Sequence, residues 1–213
     1  MAKLIILLTA LAIAFPAAVQ GATPAVQDSL WAIADDVMEM IVAGDVESVV
    51  DVLHYPPSYS KEQIASDSAA LRDALAFLLG KFGELKDFER FSGEALCYDI
   101  ALSAGDVAYW ESLSPLSTVE LMYAGDFGKF GPGIVSISLF ETKSGVDLRA
   151  VVFRLAASAP KAREKVIDIY VEMARRQAES LGEDLPENLR ELISASVPKL
   201  GSQEGNSPTK PPE

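Results

Sequence analysis

Cysteine is all but absent from this chain. The one thiol, Cys97, cannot form a bridge within the molecule, so a sizeable apolar core must hold the fold. Histidine is equally scarce, with His54 alone. A zinc site of ordinary type takes several His or Cys ligands, and one of each cannot supply it. A Ser-His-Asp arrangement would have to use His54, yet no Gly-x-Ser-x-Gly elbow is present. Basic residues are also short, at 18 Lys and Arg against 31 Asp and Glu, for a net charge of -13 and no basic cluster longer than Arg175-Arg176. Nucleic acid is bound by neutralising phosphates with Lys and Arg, so it is excluded as a partner. An anionic membrane surface is disfavoured on the same ground.

No apolar run is long enough to anchor the chain in a bilayer, since crossing one takes roughly 20 apolar residues and the N-terminal run covers only residues 4–15. That run has another use. Lys3 precedes it, Pro16 breaks it, and Val19-Gln20-Gly21 puts small residues at the two positions a signal peptidase inspects. Residues 1–21 therefore read as a secretory signal peptide, with the mature chain starting at Ala22 or Thr23. Cleavage would remove one charge, Lys3. The expected location is exported, periplasmic or secreted, with no stable membrane insertion after cleavage. No cysteine follows the run to carry a lipid.

Residues 22–197 read as a single α+β domain. Leu30, Ile33, Ala34, Val37, Met38 and Ile41 recur at helical spacing over residues 26–43, with Asp28, Asp35, Asp36 and Glu39 largely opposite. Gly44 stops that helix and Asp45 can cap a short one over residues 46–53. Tyr55-Pro56-Pro57 ends the second helix, because a residue before proline is pushed out of helical geometry. Ser60 and Gln63 have capping-box spacing, which predicts a third helix with Ile64, Leu71, Leu75, Leu78 and Phe82 on its apolar face.

From Phe88 the period moves towards two. Strands are expected at residues 96–102, 107–113, 118–123, 134–141 and 146–155, joined by short turns and by a glycine-rich connection over 124–133. Short connections join antiparallel neighbours, which predicts a meander. A long helix is expected to open at Ser158 or Ala159 with Pro160 in its first turn, and a shorter one to follow over residues 186–195. Residues 198–213 are Pro, Gly, Ser, Lys and Glu with little to bury, and read as a disordered tail.

Two helices joined by Ala43-Gly44-Asp45-Val46-Glu47-Ser48-Val49-Val50, then His54-Tyr55-Pro56-Pro57, a third helix and an antiparallel sheet resemble the nuclear-transport-factor-two-like superfamily, the cystatin-like α+β cone. The resemblance covers roughly residues 26–155 and rests on that junction and on element order. It implies N-terminal helices packed on a curved, cone-like antiparallel sheet, here followed by a long C-terminal helix. The superfamily includes ketosteroid-isomerase-like enzymes, cyclases and dehydratases, and also members that only bind or dimerise, so fold does not fix function.

An isomerase-like site would pair a carboxylate base with a tyrosine donor in an apolar cavity. Asp99, Glu111 or Glu120 could be the base and Tyr98, Tyr109 or Tyr123 the donor, and no motif selects among them. His54 suits acid/base work at neutral pH, or else meets helix C-terminal carbonyls or a pocket entrance. Cys97 reads as a small buried hydrophobe. Asp126-Phe127-Gly128 and Gly128-Lys129 imitate kinase and phosphate-loop motifs without their companions, and Phe127 and Phe130 are expected to fold over an apolar surface as a lid.

The leading expectation is an exported non-catalytic domain that binds a small apolar molecule or a partner protein. Tyr98, Trp110 and Tyr123 are the candidate lining, with His54 and Tyr55 at the rim. No catalytic residue, metal or cofactor is assigned, and a homodimer is compatible with this reading. The alternatives are an acid/base enzyme of isomerase or hydratase type and a structural or dimerising envelope protein. A carboxylate facing a tyrosine in an enclosed cavity would favour the enzyme, and a filled apolar interior would disfavour it.

Overall fold

The computed structural model describes residues 24–104, 109, 118–142 and 145–200. The expected signal peptide, the expected strand at 107–113 apart from Tyr109, and the tail beyond Leu200 lie outside them; Tyr109 itself is helical, where a strand was expected. The molecule is α+β. Helix α1 (Pro24–Ala43) stops at Gly44, whose φ of 71° suits a residue without Cβ. Asp45 then caps α2 (Val46–Asp51), its carboxylate accepting from the Ser48 amide at 3.1 Å. Helix α3 (Lys61–Phe82) carries the capping box in full. The Gln63 amide donates to Ser60 Oγ at 3.2 Å and the Ser60 amide donates to Gln63 Oε1 at 2.8 Å.

Among the described residues five strands follow: β1 (Leu85–Phe91), β2 (Cys97–Ser103), β3 (Thr118–Phe127), β4 (Gly131–Thr142) and β5 (Gly145–Ala156). They form one antiparallel sheet in the order β1-β3-β4-β5-β2. Strands β3, β4 and β5 are the expected meander; β1 and β2 are consecutive in sequence and lie at opposite edges.

That topology obliges the sheet to curve. Phe91 and Ala101 share one row of the register, through Met122, Ser136 and Val152, and β2 begins at Cys97, four residues along the strand. In a flat sheet the two strand ends would be about 23 Å apart, from four spacings of about 4.8 Å and the stagger along the strand. The chain between Phe91 and Cys97 reaches at most about 21 Å. The edges therefore curl towards each other, and the sheet is curved and not closed.

The helices whose ranges the structure describes pack on one face of the sheet, the inner face. Ile100, Leu121, Val135, Ile137, Val151 and Phe153 point inward and join Ala34, Ile41, Leu75, Leu78 and Phe82 in one core. The expected connection over 124–133 shortens to a turn at 128–130, and the rest of the stretch is sheet: Gly125 pairs with Gly133 across β3 and β4. Both face inward, and rings lie flat on them. A Cβ on Gly133 would sit 2.2 Å from the Phe127 ring and one on Gly125 would sit 2.6 Å from Phe88. Phe127 is fully buried and stacks on Phe82 with ring centroids 4.5 Å apart, so it belongs to the core and is no lid.

The long C-terminal helix α4 (Ala162–Leu181) begins later than the proline suggested. Pro160 lies in a turn, and Lys161 at φ 55° precedes the helix. Helix α5 (Leu189–Ser196) buries Leu189 and Ile193, and Arg163 on α4 donates to its carbonyl end at Ser194 and Val197. Leu200 packs against the core, and its amide donates to the Tyr98 hydroxyl at 3.2 Å. Among the described residues no helix is long and apolar enough to cross a membrane.

Candidate functional site

Alternation assigns the expected site residues to faces. Tyr98 on β2 and Tyr123 on β3 both point to the inner face, where they are 5% and 4% exposed. They do not converge. Tyr98 meets the C-terminal segment through Leu200, whereas Tyr123 donates to Asp35 of α1 at 2.7 Å and abuts Trp31 edge-on. Tyr55 is half-buried and accepts a hydrogen bond from Ser68 of α3 at 2.9 Å. Trp110 and Glu111 lie outside the described residues. Beneath α2 and α3 an aliphatic crevice lined by Val49, Val50, Leu53, Leu71, Leu75 and Val151 leaves no room for a water molecule. Among the described residues, core side chains cover the helical side of the sheet.

His54 stands in a different setting. Pro56 stops α2 early enough to leave residues 53–55 extended, and Leu53 makes one parallel bridge to Leu148 of β5. The His54 amide donates to the Leu148 carbonyl at 2.8 Å, which sets its side chain beside Asp147. Nδ1 lies 3.1 Å from Asp147 Oδ2, and Nε2 lies 2.9 Å from the Tyr109 hydroxyl. The Phe140 ring stands edge-on to the imidazole, with centroids 4.9 Å apart. Phe140 and Asp147 are register partners on the outer face of the sheet. His54 thus sits at the rim between α2 and that outer face, with a side chain 20% exposed beside an Asp147 that is 35% exposed. Burial first, and the Asp147 charge second, hold the Tyr109 phenol above its usual proton affinity. His54 was expected at helix C-terminal carbonyls or a pocket entrance, and the structure places it in this three-residue chain.

The candidate carboxylates Asp99 and Glu120 also face outward, away from the tyrosines of the core. Arg154 on β5 lies between them, 3.3 Å from Asp99 and 2.7 Å from Glu120. Its other amino group donates to the Met122 sulfur at 3.4 Å. To reach Glu120 the guanidinium must cross β4, because β3 is not adjacent to β5. The fully buried Ser136, directly opposite Met122, lies in that crossing. Burial pushes the Asp99 carboxyl up against the lowering pull of Arg154, with Glu120 adding to the rise. Cys97 is partly buried, where a buried hydrophobe was expected, and its thiol is pushed up to about 11 by burial above all. Among the described residues no cluster of His, Cys, Asp and Glu could hold a metal ion.

Neither Asp147 nor Arg154 was signalled by sequence. Asp147 is 93 residues from His54, and only the register of β4 with β5 brings it to the rim. Comparison with family models, with curated proteins and with solved structures gives no match.

Proposed function

We propose that this chain is an exported, non-catalytic binding domain, and that it meets its ligand at the rim marked by His54. The observation that carries this reading is the core packing of the inner face among the described residues. An isomerase or hydratase of the kind weighed from sequence needs a carboxylate facing a tyrosine across an open cavity. Here the core tyrosines are engaged by Asp35 and Leu200, and Asp99 and Glu120 share Arg154 on the other face. Likeness to the nuclear-transport-factor-two-like superfamily is part of the proposal, supported by three helices ahead of a curved antiparallel sheet. A second reading, an acid/base enzyme, is favoured by the Asp147–His54–Tyr109 chain alone.

Native mass spectrometry of the protein recovered from its exported fraction tests the proposal. The expected result is a mature chain starting at Ala22 or Thr23 that carries a bound small molecule or partner chain. A bare chain, or one that still begins at Met1 in a membrane pellet, would overturn it. Turnover of a substrate, lost in His54→Ala with affinity intact, would put the enzyme in its place.

A further inference from the structure

We propose that a row of cations on α3, α4 and the turn between β3 and β4 is a docking surface for an extended acidic segment of a partner protein. Lys81, Lys129, Lys165 and Arg176 pair with its carboxylates, and no residue of the His54 rim takes part.

Acids outnumber bases in this chain by 31 to 18, so a lysine without a carboxylate beside it goes against the composition. Arg72, Arg90 and Arg190 each have one. Lys81, Lys129 and Lys165 have none among the described residues, and the three lie together. The Lys129 ammonium donates to the Gly80 carbonyl at 2.9 Å, beside Lys81 near the end of α3. Phe130 follows Lys129 in the turn, and the Lys165 ammonium of α4 stands over its ring, 5.0 Å from the centroid. Phe77, one turn before Lys81, has the Lys81 ammonium 5.2 Å and the Arg176 guanidinium of α4 4.6 Å from its ring centroid. Among the described residues, the carboxylate paired within the row is Glu172, 3.3 Å from Arg176.

Ring faces and a carbonyl hold these side chains without cancelling their charge. Lys81, Lys129 and Arg176 are exposed and Lys165 is half-buried, and an ammonium has three donors, so each keeps some for an incoming carboxylate. A cation already held in place has given up part of the side-chain freedom that an ion pair costs. In a chain of net charge -13 the row is a local reversal of sign. A nucleic acid or an anionic bilayer would also bring its charge against the acidic remainder of the surface, and a single peptide strand lying in the row would not. Lys165 and Arg176 are eleven residues apart on α4, or about 16 Å. About five residues of extended peptide cover that length.

Acetylated, amidated pentaglutamate and pentaglutamine serve as probes of equal length that differ in charge. In isothermal titration against the full chain, pentaglutamate should bind saturably at one site and pentaglutamine should not bind. Raising the ionic strength from about 0.01 to 0.1 M shortens the screening length from about 30 to about 10 Å and should weaken binding about threefold or more. Lys81→Gln and Lys165→Gln leave Lys129 on the helix end; each should cost about threefold and the two together about tenfold. Lys61→Gln combined with Lys199→Gln removes the same charge from outside the row and should leave affinity within about twofold. Equal affinity for the two peptides, no loss in the Lys81 and Lys165 double variant, or an equal loss in the Lys61 and Lys199 double variant would overturn the surface. A phosphatidylglycerol vesicle or a thymidine oligonucleotide that binds more tightly than pentaglutamate through the same lysines would overturn the peptide as its occupant.

Discussion

Tyr123 of β3 reaches the first helix through a single hydrogen bond, its hydroxyl donating to Asp35 at 2.7 Å. The same carboxylate pairs with Arg90 of β1, whose guanidinium lies over the Trp31 ring at 4.7 Å. Four residues from three elements thus tie α1 to the β1 edge of the sheet. The Arg90 bond, ahead of the Tyr123 bond, holds the Asp35 carboxyl below its usual proton affinity.

Replacing Tyr123 by Phe removes the donor and leaves the ring in place. Asp35 is partly solvated and keeps Arg90, so the expected loss is about 1 kcal/mol, or roughly 2–4 °C in melting temperature for a chain of this size. Scanning calorimetry at neutral pH checks it, and an unchanged melting temperature would show that the bond contributes nothing.

Acid should weaken the same tie. Because the folded-state proton affinity of Asp35 is lowered, its contribution is present above the unfolded value near about pH 3.9 and is lost as pH falls through the folded value. Asp35→Asn should therefore show a flatter fall in stability than the parent below about pH 4. The two curves running parallel would contradict this sign.

The two kinds of glycine in this chain should lose stability to different extents, and for different reasons, on gaining a methyl group. Gly133→Ala would drive a Cβ into the Phe127 ring and within 2.9 Å of the Arg154 carbonyl, and should cost about 2–3 kcal/mol through overpacking. Gly44→Ala meets open space and strains only a φ of 71°, for about 1 kcal/mol. Urea titration of the two variants separates them, and equal losses would mean that the ring does not rest on β4.

That contrast shows what the sequence could disclose. Caps and stops act within a few residues, so the Gly44 stop, the Asp45 cap and the Ser60–Gln63 box were all legible. Strand β1 was missed because Leu85-Lys86-Asp87-Phe88-Glu89-Arg90-Phe91 is mostly charged and Asp87, at φ 53°, breaks its alternation with a bulge. Glycines in 124–133 looked like a loop because the rings that rest on Gly125 and Gly133 come from tertiary packing. The His54 rim and the charge strap of Arg154 with Asp99 and Glu120 share that difficulty. His54 could be singled out by rarity, but Asp147 as its partner, and Arg154 between Asp99 and Glu120, depend on strand register.

Arg154 is the residue whose removal should be most revealing. It is 14% exposed and lies between carboxylates 25% and 18% exposed, so Arg154→Met takes away the guanidinium between two half-buried acids, leaving Arg149 as a cation near Glu120. Stripping one partner from a buried pair costs several kcal/mol, and partial solvation brings the expected loss to about 2–4 kcal/mol at pH 7. The pH dependence fixes the cause. Asp99 already has a raised folded-state proton affinity, and Arg154 is what holds it down. Without the guanidinium it rises further above the unfolded value, so the folded state binds the proton more tightly than the unfolded one. Stability of the variant must then increase as pH falls through the folded value, and the gain is complete near the unfolded value of about 3.9. Unfolding in urea at pH 7, 6 and 5 should show the deficit shrinking step by step relative to the parent. A deficit that stays constant across that range would mean that Arg154 stabilises the sheet by packing over Ser136 and Met122, and that the charge strap contributes nothing.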